Sequence, residues 1–116
     1  MIDMQQQYGP GVQMVVDLRS PEEVRVDPFR GGRVMGLPLP KPPWSPQTQQ
    51  QVFQMLRTYV PQGIYIGFVC DGGILSQMAT QMLQGAGYHN VMDLGAMKHW
   101  QTRENLRRLG YWVEQW

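Results

Sequence analysis

The feature that most constrains this chain is the run Ile64-Tyr65-Ile66-Gly67-Phe68-Val69, nearly all apolar and without alternation, leading directly into Cys70-Asp71-Gly72-Gly73-Ile74-Leu75. A strand with one wet face alternates polar and apolar residues. A strand that does not alternate is covered on both faces, the habit of parallel sheets in α/β domains. The spacing then predicts a short loop and a helix from Ser76, with Met78, Ala79, Met82 and Leu83 on one face and Gly85-Ala86-Gly87 ending it.

The remaining elements fit the same plan. Gln13-Met14-Val15-Val16-Asp17-Leu18 reads as a strand with a β-branched centre. Ser20-Pro21-Glu22-Glu23 after it is a helix start, with Ser20 as cap, Pro21 in the first turn and Glu23 completing a capping box. Asp27 to Pro43 is rich in Gly and Pro and reads as a long loop, with at most a short strand around Val34-Met35-Gly36-Leu37. Ser45-Pro46 opens a second helix, in which Val52, Met55, Leu56 and Tyr59 follow helical spacing until Pro61-Gln62-Gly63. Val91-Met92-Asp93-Leu94 is a brief strand, and Ala96 to Leu109 is expected to be helical, closed by Arg107-Arg108 and Gly110. Strands alternating with helices imply an α/β sandwich on a parallel sheet.

Composition sets the outer bounds. The length of 116 residues suits one domain over 1–116, and 42% hydrophobic residues suffice for a core that folds without staples. No stretch approaches the roughly 20 apolar residues of a membrane span. The start, Met1-Ile2-Asp3-Met4-Gln5-Gln6-Gln7, lacks the basic flank and apolar run of a secretory signal. One cysteine excludes an internal disulfide, and with two histidines it is too few for a structural zinc site. A net charge of +1 with 16% charged residues leaves no broad field to attract nucleic acid or an acidic membrane. The single Phe29-Arg30-Gly31-Gly32-Arg33 stretch reads as a surface loop rather than an RNA element. The expectation is a soluble, cytoplasmic domain without nucleic-acid or membrane partners.

Cys70 stands where a buried strand ends and a helix is about to start. In open α/β sheets, ligands bind outside the carboxyl ends of the strands. Two glycines let the chain curl so that successive N–H groups point inward, and the helix adds its positive end to the same place. Both fields favour a thiolate over a thiol. A lone cysteine is ordinarily an inert small hydrophobe, but one that merely filled the core would need no Gly-Gly loop and helix start after it.

Three segments together resemble the rhodaneses, a family of sulfurtransferases. Val15-Val16-Asp17-Leu18-Arg19-Ser20-Pro21-Glu22-Glu23 resembles the family's strand and Asp-x-Arg opening. Phe68-Val69-Cys70-Asp71-Gly72-Gly73-Ile74-Leu75-Ser76 resembles its active-site loop. Gly87-Tyr88-His89-Asn90-Val91-Met92-Asp93-Leu94-Gly95-Ala96 with Trp100 is similar to its closing pattern. The resemblance implies a three-layer α/β sandwich with a mainly parallel sheet flanked by helices on both faces. It implies that Cys70 takes the outer sulfur of a small donor or of a protein persulfide partner as a persulfide and passes it to a thiol or cyanide, without metal or cofactor. Asp71, Gly72, Gly73, Ile74, Leu75 and Ser76 would surround the substrate, and Asp17, Arg19 and Trp100 would brace the fold.

Two other readings share the fold. A phosphatase or arsenate reductase would resemble a longer loop with an arginine six places after the cysteine, where this chain has Ser76. A non-catalytic interaction module would typically have lost the cysteine. Within the sulfurtransferase reading the loop's charge matters: from Ile64 to Met97 there is no lysine or arginine, Asp71 adjoins the nucleophile, and Leu75 stands where an arginine is frequent. Thiosulfate, a dianion, is therefore expected to be a poorer donor than a persulfide. Met97 and Lys98 fit either a pocket mouth or an ordinary helix start, and His89 and His99 read as surface residues.

Overall fold

The computed structural model describes residues 11–114; the N-terminal stretch read above as lacking a signal lies outside them. Four strands form a parallel sheet in the order β3-β1-β4-β5: β1 (Met14–Asp17), β3 (Val34–Gly36), β4 (Ile66–Cys70) and β5 (Val91–Ala96). The helices are α1 (Pro21–Val26), α2 (Pro46–Tyr59), α3 (Ile74–Gly85) and α4 (Trp100–Arg108). The short strands β2 (Phe29–Arg30) and β6 (Trp112–Val113) pair antiparallel beside the main sheet.

All five residues of β4 are buried, as its lack of alternation requires. Its side chains divide between two cores. Ile66, Phe68 and Cys70 face one side, where Val52 and Leu56 of α2 and Ala79 and Leu83 of α3 pack. Val69 faces the other side, among Leu94, Met97, Leu106 of α4 and Val113. Helices thus cover both faces of a parallel sheet, the expected three layers. Among the described residues, no helix is long and apolar enough to cross a membrane.

The helix starts read from sequence have the expected chemistry. Ser20 Oγ accepts the Glu23 N–H at 3.2 Å while Glu23 Oε1 accepts the Ser20 N–H at 3.0 Å, a complete capping box. Ser45 Oγ accepts the Thr48 N–H at 3.1 Å, and Pro46 opens α2.

Four expectations need correction. The 27–43 segment contains a second strand, β2, which is only two residues long and pairs with β6, so neither shows a period of its own. Helix α3 begins at Ile74, two residues before Ser76, and buries Leu75 and Thr80, leaving Met78 and Met82 half-buried. Ala96 ends β5 rather than opening a helix: α4 starts at Trp100, and Met97 between them is fully buried. Trp100 is no packing anchor. As the first residue of α4 it points outward, 69% exposed, stacked on the His99 ring.

The end of β5 is shaped by a bulge. Phe68 pairs with Asp93 but Val69 pairs with Gly95, leaving Leu94 as the extra residue, whose side chain lies over Gly67. Gly95 has φ +104°, and a Cβ there would stand 2.7 Å from Thr102 Oγ1. That hydroxyl donates to the Leu94 carbonyl at 3.0 Å and ties α4 to the bulge.

Candidate functional site

Because the sheet is parallel, the carboxyl ends of β1, β3 and β4 open on one edge, and the site is built there. Cys70, the last residue of β4, is 2% exposed. Its sulfur accepts the Gly73 N–H at 3.0 Å and the Ser76 N–H at 3.3 Å. The thiol in turn lies 3.4 Å from Ser76 Oγ, which donates to the Gly73 carbonyl at 3.2 Å.

This arrangement has a local cause. A helix leaves its first N–H groups without intrahelical acceptors, and a cap side chain usually takes one of them. The cap of α3 is Gly73, held at φ +95° and without a side chain. Cys70 Sγ takes that role: the donor it receives from Ser76 is the one a serine or aspartate cap would have satisfied. The sulfur therefore sits at the positive end of a twelve-residue helix, α3, with two N–H groups directed at it. The far side of the loop is fixed by β5 and the turn after it, where Met97 and Lys98 donate their N–H groups to the carbonyls of Cys70 (2.8 Å) and Asp71 (3.3 Å).

A cleft of ≈ 250 Å³ lies over the sulfur, lined by Cys70, Asp71, Gly72, Ile74 and Leu75. Of the six loop residues expected to surround a substrate, these last four face the cleft, while Gly73 and Ser76 stand behind the sulfur as its donors. Leu75 meets the cleft with little of its surface, being 9% exposed and packed in the α2/α3 core. Ile74 is 61% exposed at the mouth.

Arg19 and Asp17 support this edge. Arg19 Nε and its NH2 nitrogen donate to both Asp17 oxygens at 2.9–3.2 Å, and NH1 donates to the Asp27 carbonyl at 2.7 Å. Both side chains are nearly sealed, 1% and 3% exposed. Arg103 continues the cluster from α4, its NH1 donating to Asp27 Oδ2 at 2.6 Å. Arg19 borders the cleft but directs its charge to carboxylates beneath it.

Sequence reasoning missed the two charged residues completing the wall. Glu23 of α1 and Lys41, from the loop after β3, both line the cleft, and Lys41 Nζ lies 3.0 Å from Glu23 Oε2. The Ser20 N–H, chiefly, holds the Glu23 carboxyl down at about 2. Lys41 is held above the usual lysine range, mainly by its hydrogen bond to Glu23 and to a smaller extent by Asp71 and Cys70. Asp71 is itself paired with Lys98, Nζ to Oδ2 3.0 Å, behind the rim. Lys41 and Lys98 both fall outside the 64–97 stretch in which no cation was found. The available signal was topological, since a loop following a parallel strand ends on the same edge as Cys70.

No protein-family model and no curated protein matches the chain. Among solved structures, the X-ray structure of the rhodanese-like domain of the Alr3790 protein from Anabaena sp. is similar over 97% of this chain and 95% of that one. The TM-score is 0.55 and the sequence identity 15%, a likeness of fold. With a parallel β3-β1-β4-β5 sheet, helices on both faces and a cysteine loop at the carboxyl end of β4, the chain has a rhodanese-like fold.

Proposed function

We propose that the protein is a sulfurtransferase that carries sulfane sulfur as a persulfide on Cys70. The observation that carries this reading is the pair of N–H donors, from Gly73 at 3.0 Å and Ser76 at 3.3 Å, on a sulfur at the base of an open cleft. Such donors, fixed before reaction, stabilise negative charge on sulfur without reorganising.

In the first half-reaction the Cys70 thiolate attacks the outer sulfur of the donor. A new S–S bond forms as the donor's own S–S bond breaks, and its electron pair leaves on the remainder, sulfite from thiosulfate or a thiolate from a hydropersulfide. In the second, cyanide or an acceptor thiolate attacks the outer sulfur of the Cys70 persulfide, and the electron pair of that S–S bond returns to Cys70. The two steps predict ping-pong kinetics. Ser76 Oγ, within reach of the thiol, accepts its hydrogen bond in the resting state and turns its own proton toward the sulfur once that is an anion.

Intact-mass measurement after incubation with thiosulfate, and separately with a low-molecular-weight hydropersulfide, tests the reading. The expected result is a gain of one sulfur atom, removed by cyanide and absent in Cys70→Ser. No gain with either donor would overturn it.

A further inference from the structure

The charges around the cleft point to the class of donor, an inference that rests on the proposed sulfur transfer. Arg19 has no charge to offer a ligand, since its side chain is 1% exposed and bound to Asp17 and Asp27. What remains on the wall is Lys41, Glu23 and Asp71, with Lys98 balancing Asp71 from outside. The rim therefore carries both signs and is neutral in sum.

The Lys41–Glu23 pair is asymmetric. Lys41 is 70% exposed at its side chain and held only at its tip, whereas Glu23 is 23% exposed and anchored by its other oxygen to the Ser20 N–H. An exposed pair of this kind is weak and is exchanged readily. An entering ligand can draw Lys41 away while Glu23 stays fixed by the capping box. A dianion that takes Lys41 leaves Glu23 uncompensated. A ligand carrying one carboxylate and one ammonium replaces the pair with its own charges: carboxylate to Lys41, ammonium to Glu23. The cleft volume of ≈ 250 Å³ suits a molecule of amino-acid size.

We infer that the Lys41–Glu23 pair is a specificity device selecting a zwitterionic, amino-acid-type hydropersulfide as sulfur donor.

The test compares three donors on the intact chain, following the rate of sulfur loading on Cys70. They are cysteine hydropersulfide, N-acetylcysteine hydropersulfide, which keeps the carboxylate but lacks the ammonium, and thiosulfate. Wild type is expected to show a kcat/KM about tenfold higher for the first than the second, the scale of one hydrogen bond to a charged group. Glu23→Gln retains a capping side chain and should abolish most of that preference while raising kcat/KM for thiosulfate several-fold. Lys41→Gln, at an exposed position, should lower kcat/KM for both hydropersulfides by a similar factor and leave their ratio in place. Equal rates for the two hydropersulfides in wild type, or a ratio unmoved by Glu23→Gln, would overturn the inference and leave the proposed function standing. Failure of Cys70 to take sulfur from any of the three would overturn the proposed function, and this inference with it.

Discussion

Truncating Arg19 to alanine should unfold the edge of the sheet on which the cysteine loop rests. Asp17 is 3% exposed at its side chain, and its two oxygens accept hydrogen bonds from Arg19 Nε and NH2 at 2.9–3.2 Å. In Arg19→Ala only the residue-19 backbone N–H, now 3.1 Å from Oδ1, remains for that carboxylate. The Asp27 carbonyl loses its 2.7 Å donor as well. Breaking a buried pair from one side costs about 3–5 kcal/mol, because the surviving charge is left buried and uncompensated. Against a total stability of roughly 5–15 kcal/mol this is a large fraction. At about 3–6 °C per kcal/mol for a domain of this size, the melting temperature should fall by about 10–30 °C. Urea unfolding followed by circular dichroism would measure the loss as a shift in midpoint at constant slope. The companion variant Asp17→Asn/Arg19→Met removes both charges and keeps an apolar stem against Phe29, over whose ring the guanidinium carbon lies at 5.7 Å. It should recover at least half of the lost stability. A loss below about 1 kcal/mol in Arg19→Ala, or a double variant no better than the single one, would refute the reasoning.

Other substitutions probe the loop and its supports. Cys70→Ser should lose sulfur loading and retain stability to within about 1 kcal/mol, since an oxygen there can still accept from the helix start; melting and intact-mass measurements check the two halves. Gly95→Ala should cost about 2 kcal/mol or more, because φ is +104° and the new Cβ would stand 2.7 Å from Thr102 Oγ1; a thermal melt unchanged from wild type would contradict the bulge geometry. Glu23, held down at about 2 in the folded state, stabilises the fold fully above its ordinary value of 4.5, and that contribution fades as pH falls from 4.5 toward 2. The gap in unfolding free energy between wild type and Glu23→Gln should therefore shrink by about 1 kcal/mol over that range, and a gap that widens on acidification would have the wrong sign.

Where a residue's local environment decided its structure, sequence sufficed. Ser20-Pro21-Glu22-Glu23 and Ser45-Pro46 started helices because their capping chemistry lies within four residues. The unalternating run is buried on both faces from Ile66 onward, where β4 begins, while Ile64 and Tyr65 before it are half-buried. Reading failed where the cause was distant. Strands β2 and β6, two residues each, exist only because they meet each other across most of the chain. The start of α4 moved four residues along because β5 continues through a bulge at Gly95, paired with β4 as far as Ala96. The resemblance made Trp100 a brace for the fold, but its place at the first turn of α4 turns it outward. In the site, the nucleophile and its glycine loop were legible as contiguous chain. Lys41 and Glu23 were not, because they reach the cleft from separate elements and no spacing connects them to the cysteine; Lys98 was legible only as one of two alternatives, a pocket mouth or an ordinary helix start.

The position six residues after the cysteine separates the chemistries this loop can support. In a phosphoryl-transfer site that position is expected to carry a guanidinium, which binds the oxyanion and neutralises charge developing on it. Here Ser76 occupies it, fully buried, with its N–H on Cys70 Sγ at 3.3 Å and its hydroxyl between that sulfur and the Gly73 carbonyl. The Ser76 N–H is aimed at the cysteine sulfur and its hydroxyl donates to the Gly73 carbonyl, so neither is turned to a ligand beyond the sulfur. Nor can the buried arginine nearby substitute, because Arg19 is committed to Asp17 and Asp27. A loop built this way stabilises an anion one atom in size, on the sulfur itself, and offers little to the spread charge of a phosphate. A persulfide carries its reacting charge on sulfur, which is why the proposed function is sulfur transfer rather than phosphoryl transfer.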